Sequence, residues 1–225
     1  MTTAHQRPDV IVFDVNETLL DLSHLRPRFE AAIGSTEPMG EWFARMLHGS
    51  LVANHTLNYR PFGVIGAEAL LVVAQKRGIP LTRQEAADVV AGMLELPPHP
   101  EVPAALEDLR DRGYRLVTLT NGAAPAVAAQ LSNAGIDGLF ERSVSVDEVS
   151  RFKPAPLVYL HAAEVLAVEP DSMLMVASHD WDIVGARAAE VPGAFLARPG
   201  VVWGLPDDLP DLVAPDLAAL AAMLE

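Results

Sequence analysis

Cysteine is absent from all 225 residues. That excludes disulfides and thiolate metal sites and fits a reducing compartment. Basic residues are scarce, with 16 Lys and Arg against 30 Asp and Glu and a net charge of −14. On average such a chain is repelled by a phosphate backbone or an anionic bilayer, so neither nucleic acid nor membrane is an expected partner. No apolar run approaches the roughly 18 to 20 residues that span a bilayer, and Met1–Pro8 is polar, without the apolar core of a signal peptide. The expected location is cytoplasmic. Internal repeats and low-complexity segments are missing too. What is present is a hydrophobic share of 50% and a mean hydropathy of +0.21, ample for a packed interior.

The chain is organised around Asp9-Val10-Ile11-Val12-Phe13-Asp14-Val15-Asn16-Glu17-Thr18-Leu19-Leu20. Its β-branched apolar start reads as a buried parallel strand that ends abruptly at an acid. A carboxylate at the C-terminal edge of such a strand is a nucleophile, a base, a metal ligand, or simply the cap of the next turn.

Helical periodicity follows, at Leu25–Ile33, Gly40–Leu57, Phe62–Arg77 and after Thr82, where Thr82-Arg83-Gln84-Glu85 has the form of a capping box. Pro97-Pro98-His99-Pro100 closes this run as a stiff boundary. From Val102 strands and helices alternate. Helix Val102–Arg112, strand Tyr114–Leu119, helix Ala123–Ala134 and strand Ser143–Val146 come first. Helix Leu157–Leu166, strand Met173–Ala177, helix Ile183–Glu190, strand Ala194–Ala197 and a closing helix at Asp216–Leu224 complete the chain. This alternation predicts an α/β fold, a parallel sheet covered by helices, with a helical unit inserted after the first strand. Residues 1–20 and 98–225 form the expected discontinuous core, and residues 21–97 the expected cap.

Polar residues cluster at the predicted strand ends. Asp14 follows the first strand, Thr120 and Asn121 the second, Lys153 precedes a helix, and Ser178-His179-Asp180-Trp181-Asp182 follows the fourth strand. A carboxylate, a hydroxyl and amide pair, a lysine and a second acid converging on one edge suit a small anionic substrate, with Lys153 placing positive charge beside Asp14. Thr120 and Asn121 could equally cap the next helix. Ser178-His179-Asp180 names a triad only superficially, since consecutive residues cannot converge on one point. The remaining histidines lack ligand spacing, and His48 and His55 are kept as cap candidates.

Four stretches in order, Asp14-Val15-Asn16-Glu17-Thr18-Leu19, Leu119-Thr120-Asn121-Gly122, Phe152-Lys153-Pro154 and Ala177-Ser178-His179-Asp180-Trp181-Asp182, resemble the motifs of the haloacid dehalogenase superfamily. The resemblance covers essentially the whole chain. It implies a Rossmann-like core with a helical cap and Asp14 as a nucleophile that forms a covalent intermediate.

Most of that superfamily are magnesium-dependent phosphatases, which carry a second Asp two residues after the nucleophile as general acid and base. Here that position is Asn16, which has no carboxyl proton to transfer. Ser178 stands where their fourth motif supplies a metal-binding Asp, so magnesium loses a ligand and no metal or cofactor is expected. Both departures, with Trp181-Asp182, resemble L-2-haloacid dehalogenases. That resemblance implies attack of Asp14 on C2 of a short 2-haloalkanoate, followed by hydrolysis of the aspartyl ester at its carbonyl carbon.

In this reading Asp14, Lys153, His179 and Asp182 carry the chemistry. Asn16, Thr120, Asn121, Ser178, Phe43, Arg45, Phe62 and Trp181 surround the substrate, with Tyr59-Arg60-Pro61-Phe62 in the covering helices. Where the well-known dehalogenases carry a halide-cradling Arg, a gapless count places Phe43, with Arg45 two residues on. Asn16 stands where they often carry Tyr, and His179 where they carry Asn. A histidine whose pKa lies near neutrality is a candidate base for the hydrolytic water. A homodimer through the cap helices is a further implication of the resemblance. The alternatives are a magnesium-dependent phosphatase that tolerates Asn16, and a family member whose activity has decayed into binding.

Overall fold

The computed structural model describes residues 7–206 and 208–224; the polar reading of the first six residues lies outside that range. β1 (Val10–Phe13) is buried along its whole length, as an all-apolar central strand must be. It pairs in parallel with β2 (Arg115–Thr120) on one side and β4 (Met173–Ala177) on the other. β3 (Arg142–Ser145), β5 (Gly193–Leu196) and β6 (Leu212–Ala214) extend a parallel six-stranded sheet in the order β3-β2-β1-β4-β5-β6.

The sheet is therefore an α/β Rossmann-like one, as the alternation predicts. β6 is absent from the sequence-based expectation. Three residues between Pro210 and Pro215 are too short to show a period, and the strand is visible only through its pairing with β5.

Between β1 and the next core helix lie α1 (Arg26–Ile33), α2 (Met39–Thr56), α3 (Phe62–Lys76) and α4 (Arg83–Ala91). The capping box before α4 forms as expected: Glu85 N donates to Thr82 Oγ1 at 3.2 Å and Thr82 N donates to Glu85 Oε2 at 2.8 Å. The helices pack around Trp42, which is fully buried, meets Phe29 edge to face at 5.1 Å and donates Nε1–H to Gly66 O. α2 and α3 approach so closely that a Cβ at Gly49 would lie 2.6 Å from Ile65 Cγ2. None of the described helices is long and apolar enough to cross a membrane.

The core continues with α5 (Val102–Asp111), α6 (Ala124–Asn133), α7 (Pro156–Leu166), α8 (Asp180–Arg187) and α9 (Leu217–Met223). α8 begins three residues before the expected Ile183. Asp180 and Asp182 fall in its first turn, where acids complement the unpaired N–H groups of a helix start.

The chain leaves and re-enters the core at adjacent points, with Asp21 N on Pro97 O and His99 N on Leu19 O, both at 2.9 Å. A further tie runs from α2 to the loop before α7. Asn54 Nδ2 donates to Phe152 O and Asn54 Oδ1 accepts from Phe152 N, both at 2.8 Å. Tyr59 adds a hydrogen bond to Asp147 and stacks on Phe152 at 4.9 Å. Replacing Asn54 by Ala strands both main-chain groups of Phe152, so the Asn54→Ala protein is expected to lose about 1–3 kcal/mol of unfolding free energy in urea titration.

Candidate active site

β1, β2 and β4 end on the same edge of the sheet, and parallel register places their last residues side by side. Ligands bind at this edge in open α/β sheets. Asp14, the first residue past β1, is buried there. Its Oδ1 accepts from Lys153 Nζ at 2.9 Å and its Oδ2 from Thr18 Oγ1 at 2.7 Å.

Lys153 spends its three protons on Asp14, on Asp182 Oδ2 at 2.6 Å and on Leu119 O at 2.9 Å. Tyr159 donates to Asp182 Oδ1 at 2.6 Å, so both oxygens of that carboxylate are held.

The electrostatics follow from burial and neighbours. Burial pushes the Asp14 carboxyl up, but the charge of Lys153, joined by His179, outweighs this and holds it well below the usual carboxylate range. Asp14 is therefore an anion, with both oxygens held in place. Burial would likewise lower Lys153, and Asp14 and Asp182 together raise it above its ordinary value. Asp182 is raised, chiefly by burial, with the negative charge of Asp14 adding to the effect.

His179 lies directly before α8, between Phe43 of α2 at 5.7 Å and Trp181 at 5.1 Å, nearly parallel to both rings. Its Nε2 is 2.8 Å from Glu17 Oε2. Its Nδ1 is 3.3 Å from Asp14 Oδ2 but is poorly aligned for a hydrogen bond, so that contact is one of charge. Burial favours the neutral ring, yet Asp14 and Glu17 overcome it and push His179 up to about 10. The expectation of a value near neutrality fails in the free protein, because the ring stands between two carboxylates and keeps its proton.

Other expected residues divide. Asn121 Oδ1 receives Lys153 N at 2.9 Å, and Trp181 has Lys153 Nζ 5.9 Å from its ring centroid. Ser178 is buried, with its main-chain N on Thr18 Oγ1 and its own hydroxyl unpaired. Phe62 packs on Phe152, one residue from Lys153, at 5.8 Å.

Further expected residues fall on both sides of the site's boundary. Thr120 Oγ1 accepts from Gly122 N at 3.0 Å, which shapes the turn before α6 and leaves the hydroxyl proton able to donate. The three protons of Lys153 are engaged within the protein, which sets its charge against Asp14 and Asp182. Arg45 sits beside Glu41, Ala44 and His48 on the outer side of α2, away from Asp14. His48 and His55 are exposed, which removes them from the site.

Asn16 turns from Asp14 to accept from Gln130 Nε2 at 2.9 Å. Thr18, Glu17 and Tyr159 were missed by sequence reasoning. Thr18 lies four residues beyond Asp14 and Tyr159 six beyond Lys153, spacings that become meaningful only once the loop and helix directions are known.

A magnesium ion fits these residues poorly. The Lys153 ammonium already stands between Asp14 and Asp182, and Asp180 faces away, accepting from Trp181 N and Gly204 N. Among the described residues no group of three His, Cys, Asp or Glu side chains could hold a metal ion.

The family model for haloacid dehalogenase-like hydrolases matches residues 8–190. Haloacetate dehalogenase H-2 of Moraxella sp. (strain B) is 28% identical over 218 residues, 96% of this chain and 97% of that protein. (S)-2-haloacid dehalogenase 2 of Pseudomonas sp. (strain CBS-3) is 32% identical over 180 residues, 79% of this chain and 78% of its own. Among solved structures, the L-2-haloacid dehalogenase of Xanthobacter autotrophicus with chloropropionic acid covalently bound superposes with a TM-score of 0.87. It is 26% identical, over 96% of this chain and 98% of that one. The chain belongs to the haloacid dehalogenase-like hydrolases.

The charge state of His179 can be read from stability. Its folded value, about 10, lies above the ordinary 6.5, so the stabilisation it contributes is complete below about 6.5 and is lost as pH rises toward about 10. Urea unfolding of the wild type across that window is expected to show this decline, and a His179→Gln protein is expected to show a flatter profile.

Proposed function

We propose that this protein is a hydrolytic 2-haloacid dehalogenase that works through an aspartyl ester on Asp14. A discontinuous core of residues 1–20 and 98–225 carries the chemistry, and residues 21–97 cover it. The observation that carries the reading is an ionised Asp14 beside a lysine whose protons are all engaged, with no second acid two residues on. The dehalogenase relatives and the covalently bound chloropropionic acid in the Xanthobacter structure support it.

In the first step an Asp14 carboxylate oxygen attacks C2, the carbon–halogen bond breaks and the halide leaves with its electron pair. Configuration at C2 inverts. Lys153 and Thr18 orient the carboxylate, while Asp182 and Tyr159 hold Lys153 in place. Phe43 and Trp181 stack on the two faces of His179 and fix its ring plane.

In the second step water adds to the Asp14 carbonyl carbon and the acyl–oxygen bond breaks, releasing the 2-hydroxy acid with C2 untouched. Esterification removes the Asp14 charge, one of the two that hold the proton on His179. In the ester state the ring, now facing only Glu17, releases that proton to solvent; the neutral imidazole takes the proton of the attacking water, gives it to the leaving alkoxide oxygen of the 2-hydroxy acid, and recovers a proton from the re-formed Asp14 acid. A metal ion has no part in either step, since the ammonium of Lys153 supplies the positive charge beside Asp14.

The acidic, cysteine-free composition supports a cytoplasmic location. A homodimer through the cap helices finds support in exposed Leu51 and Val52 on α2 and Val64 and Val72 on α3.

Halide release from L-2-chloropropionate that is unaffected by EDTA is the expected activity, whereas magnesium-dependent phosphate release would establish a phosphatase. In a single turnover in ¹⁸O-water the label is expected in Asp14 and not in the first product molecule; direct labelling of that product would overturn the nucleophile assignment. Asp14→Asn is expected to lower kcat by on the order of 10³-fold or more. His179→Ala is expected to accumulate the ester, seen as an added mass on the intact protein, and normal turnover by that variant would remove His179 from the second step.

A further inference from the structure

Asn16 and Glu17 are consecutive, yet their side chains part. Asn16 turns to Gln130, whereas Glu17 turns to His179, with its Oε2 2.8 Å from Nε2. Glu17 has a left-handed backbone, φ 64°, which a residue with a Cβ keeps only where its surroundings hold it. They do so here: Glu17 N donates to Leu20 O at 2.8 Å, and Glu17 O lies 3.1 Å from His99 Nε2.

The two ring nitrogens of His179 therefore face different carboxylates. Nε2 meets Glu17, which borders an open polar cleft of about 680 Å³ shared with Asp21, Arg26, His99 and Arg198. Nδ1 is buried, makes no hydrogen bond and stands 3.3 Å from Asp14 Oδ2. The other acids near the ring are engaged elsewhere. Asp180 accepts from Trp181 N and Gly204 N, and Asp182 is held by Lys153 and Tyr159. From α2 the ring meets only the uncharged Phe43.

A neutral imidazole carries a proton on one nitrogen, and the nitrogen bonded to a carboxylate keeps it. Once esterification removes the Asp14 charge, the proton on Nδ1 is the one that leaves. The lone pair then opens toward the ester and not toward the cleft.

We propose that Glu17 is a positioning residue of the second step: by holding the Nε2 proton it makes Nδ1 of His179 the base that activates the hydrolytic water. The proposal rests on the dehalogenase reading and adds to it the residue that selects the working nitrogen. The protons balance. Nδ1 gives its proton to the water that enters after the halide has left. It then takes one proton of the attacking water and passes it to the alkoxide oxygen as the acyl–oxygen bond breaks. The second proton of that water remains on the re-formed Asp14 acid, which returns it to Nδ1. Nε2 keeps its proton, donated to Glu17, throughout.

Formation and decay of the ester would be followed separately, by intact-protein mass in rapid-quench single turnovers of L-2-chloropropionate across a range of pH. Glu17→Gly removes the carboxylate and suits the left-handed backbone, and Glu17→Gln keeps the shape without the charge. In both, the limiting rate of ester decay at high pH is expected to fall by roughly tenfold or more, while ester formation slows by about threefold at most. The decay rate rises with pH as His179 loses its Nδ1 proton, and with one carboxylate fewer the midpoint is expected to move down by about one pH unit or more. Equal slowing of both steps with an unmoved midpoint would assign Glu17 to the structure of the loop and overturn the proposal. An ester that forms and decays normally in Glu17→Gly rejects the proposal alone, whereas no ester in the wild type with any haloacid rejects the dehalogenase reading with it.

Discussion

A buried ammonium held between two carboxylates is the constraint on which the rest of the structure depends. Taking Lys153, Asp14 and Asp182 out of water costs several kcal/mol per ion, and only close, fully hydrogen-bonded geometry offsets that cost. Each strand that ends at the site therefore contributes a specific group. β1 leads into Asp14, β2 offers the carbonyl of Leu119, and β4 leads into the segment bearing Asp182. A slip in register between any two of these strands would leave an unpaired charge in the interior. The site thus ties together the strands that build it.

The same arrangement explains how a single aspartate can be both deeply covered and fully ionised. Lys153 and His179 surround Asp14 with positive charge, while Phe43 and Trp181 hold the His179 ring between them. Low polarity would otherwise favour the protonated acid. Here it strengthens the ion pairs that oppose protonation, and the carboxylate is left poorly hydrated and suited to attack on carbon.

Most of the fold could be read from the sequence because it rests on local signals. The β-branched run at Val10–Phe13, the capping box at Thr82 and the alternation after Val102 are each contained in a few residues. β6 escaped because its identity comes from its neighbour β5, and the start of α8 escaped because Asp180 and Asp182 read equally well as loop and as helix start. Within the site, the structure brings Asp14, Lys153, Asn121, His179, Trp181 and Asp182 together. Arg45 is not brought to it, since its side chain lies beside Glu41, Ala44 and His48 on another side of α2 from Phe43. Nor could the proton on His179 be anticipated: it depends on Glu17, whose side chain direction is set by a left-handed backbone conformation at φ 64°.

The grip of Asn54 on Phe152 has a wider meaning for how such a protein can change. Both of its hydrogen bonds go to main-chain atoms, so this part of the seat depends on the path of the core chain, while Tyr59 and Phe62 add contacts to the Phe152 ring. Residues of α2 and α3 other than Asn54 and Phe62 can then be exchanged while this grip on the lysine loop is kept. The protein has separated the part that recognises from the part that reacts, and the two can drift at different rates.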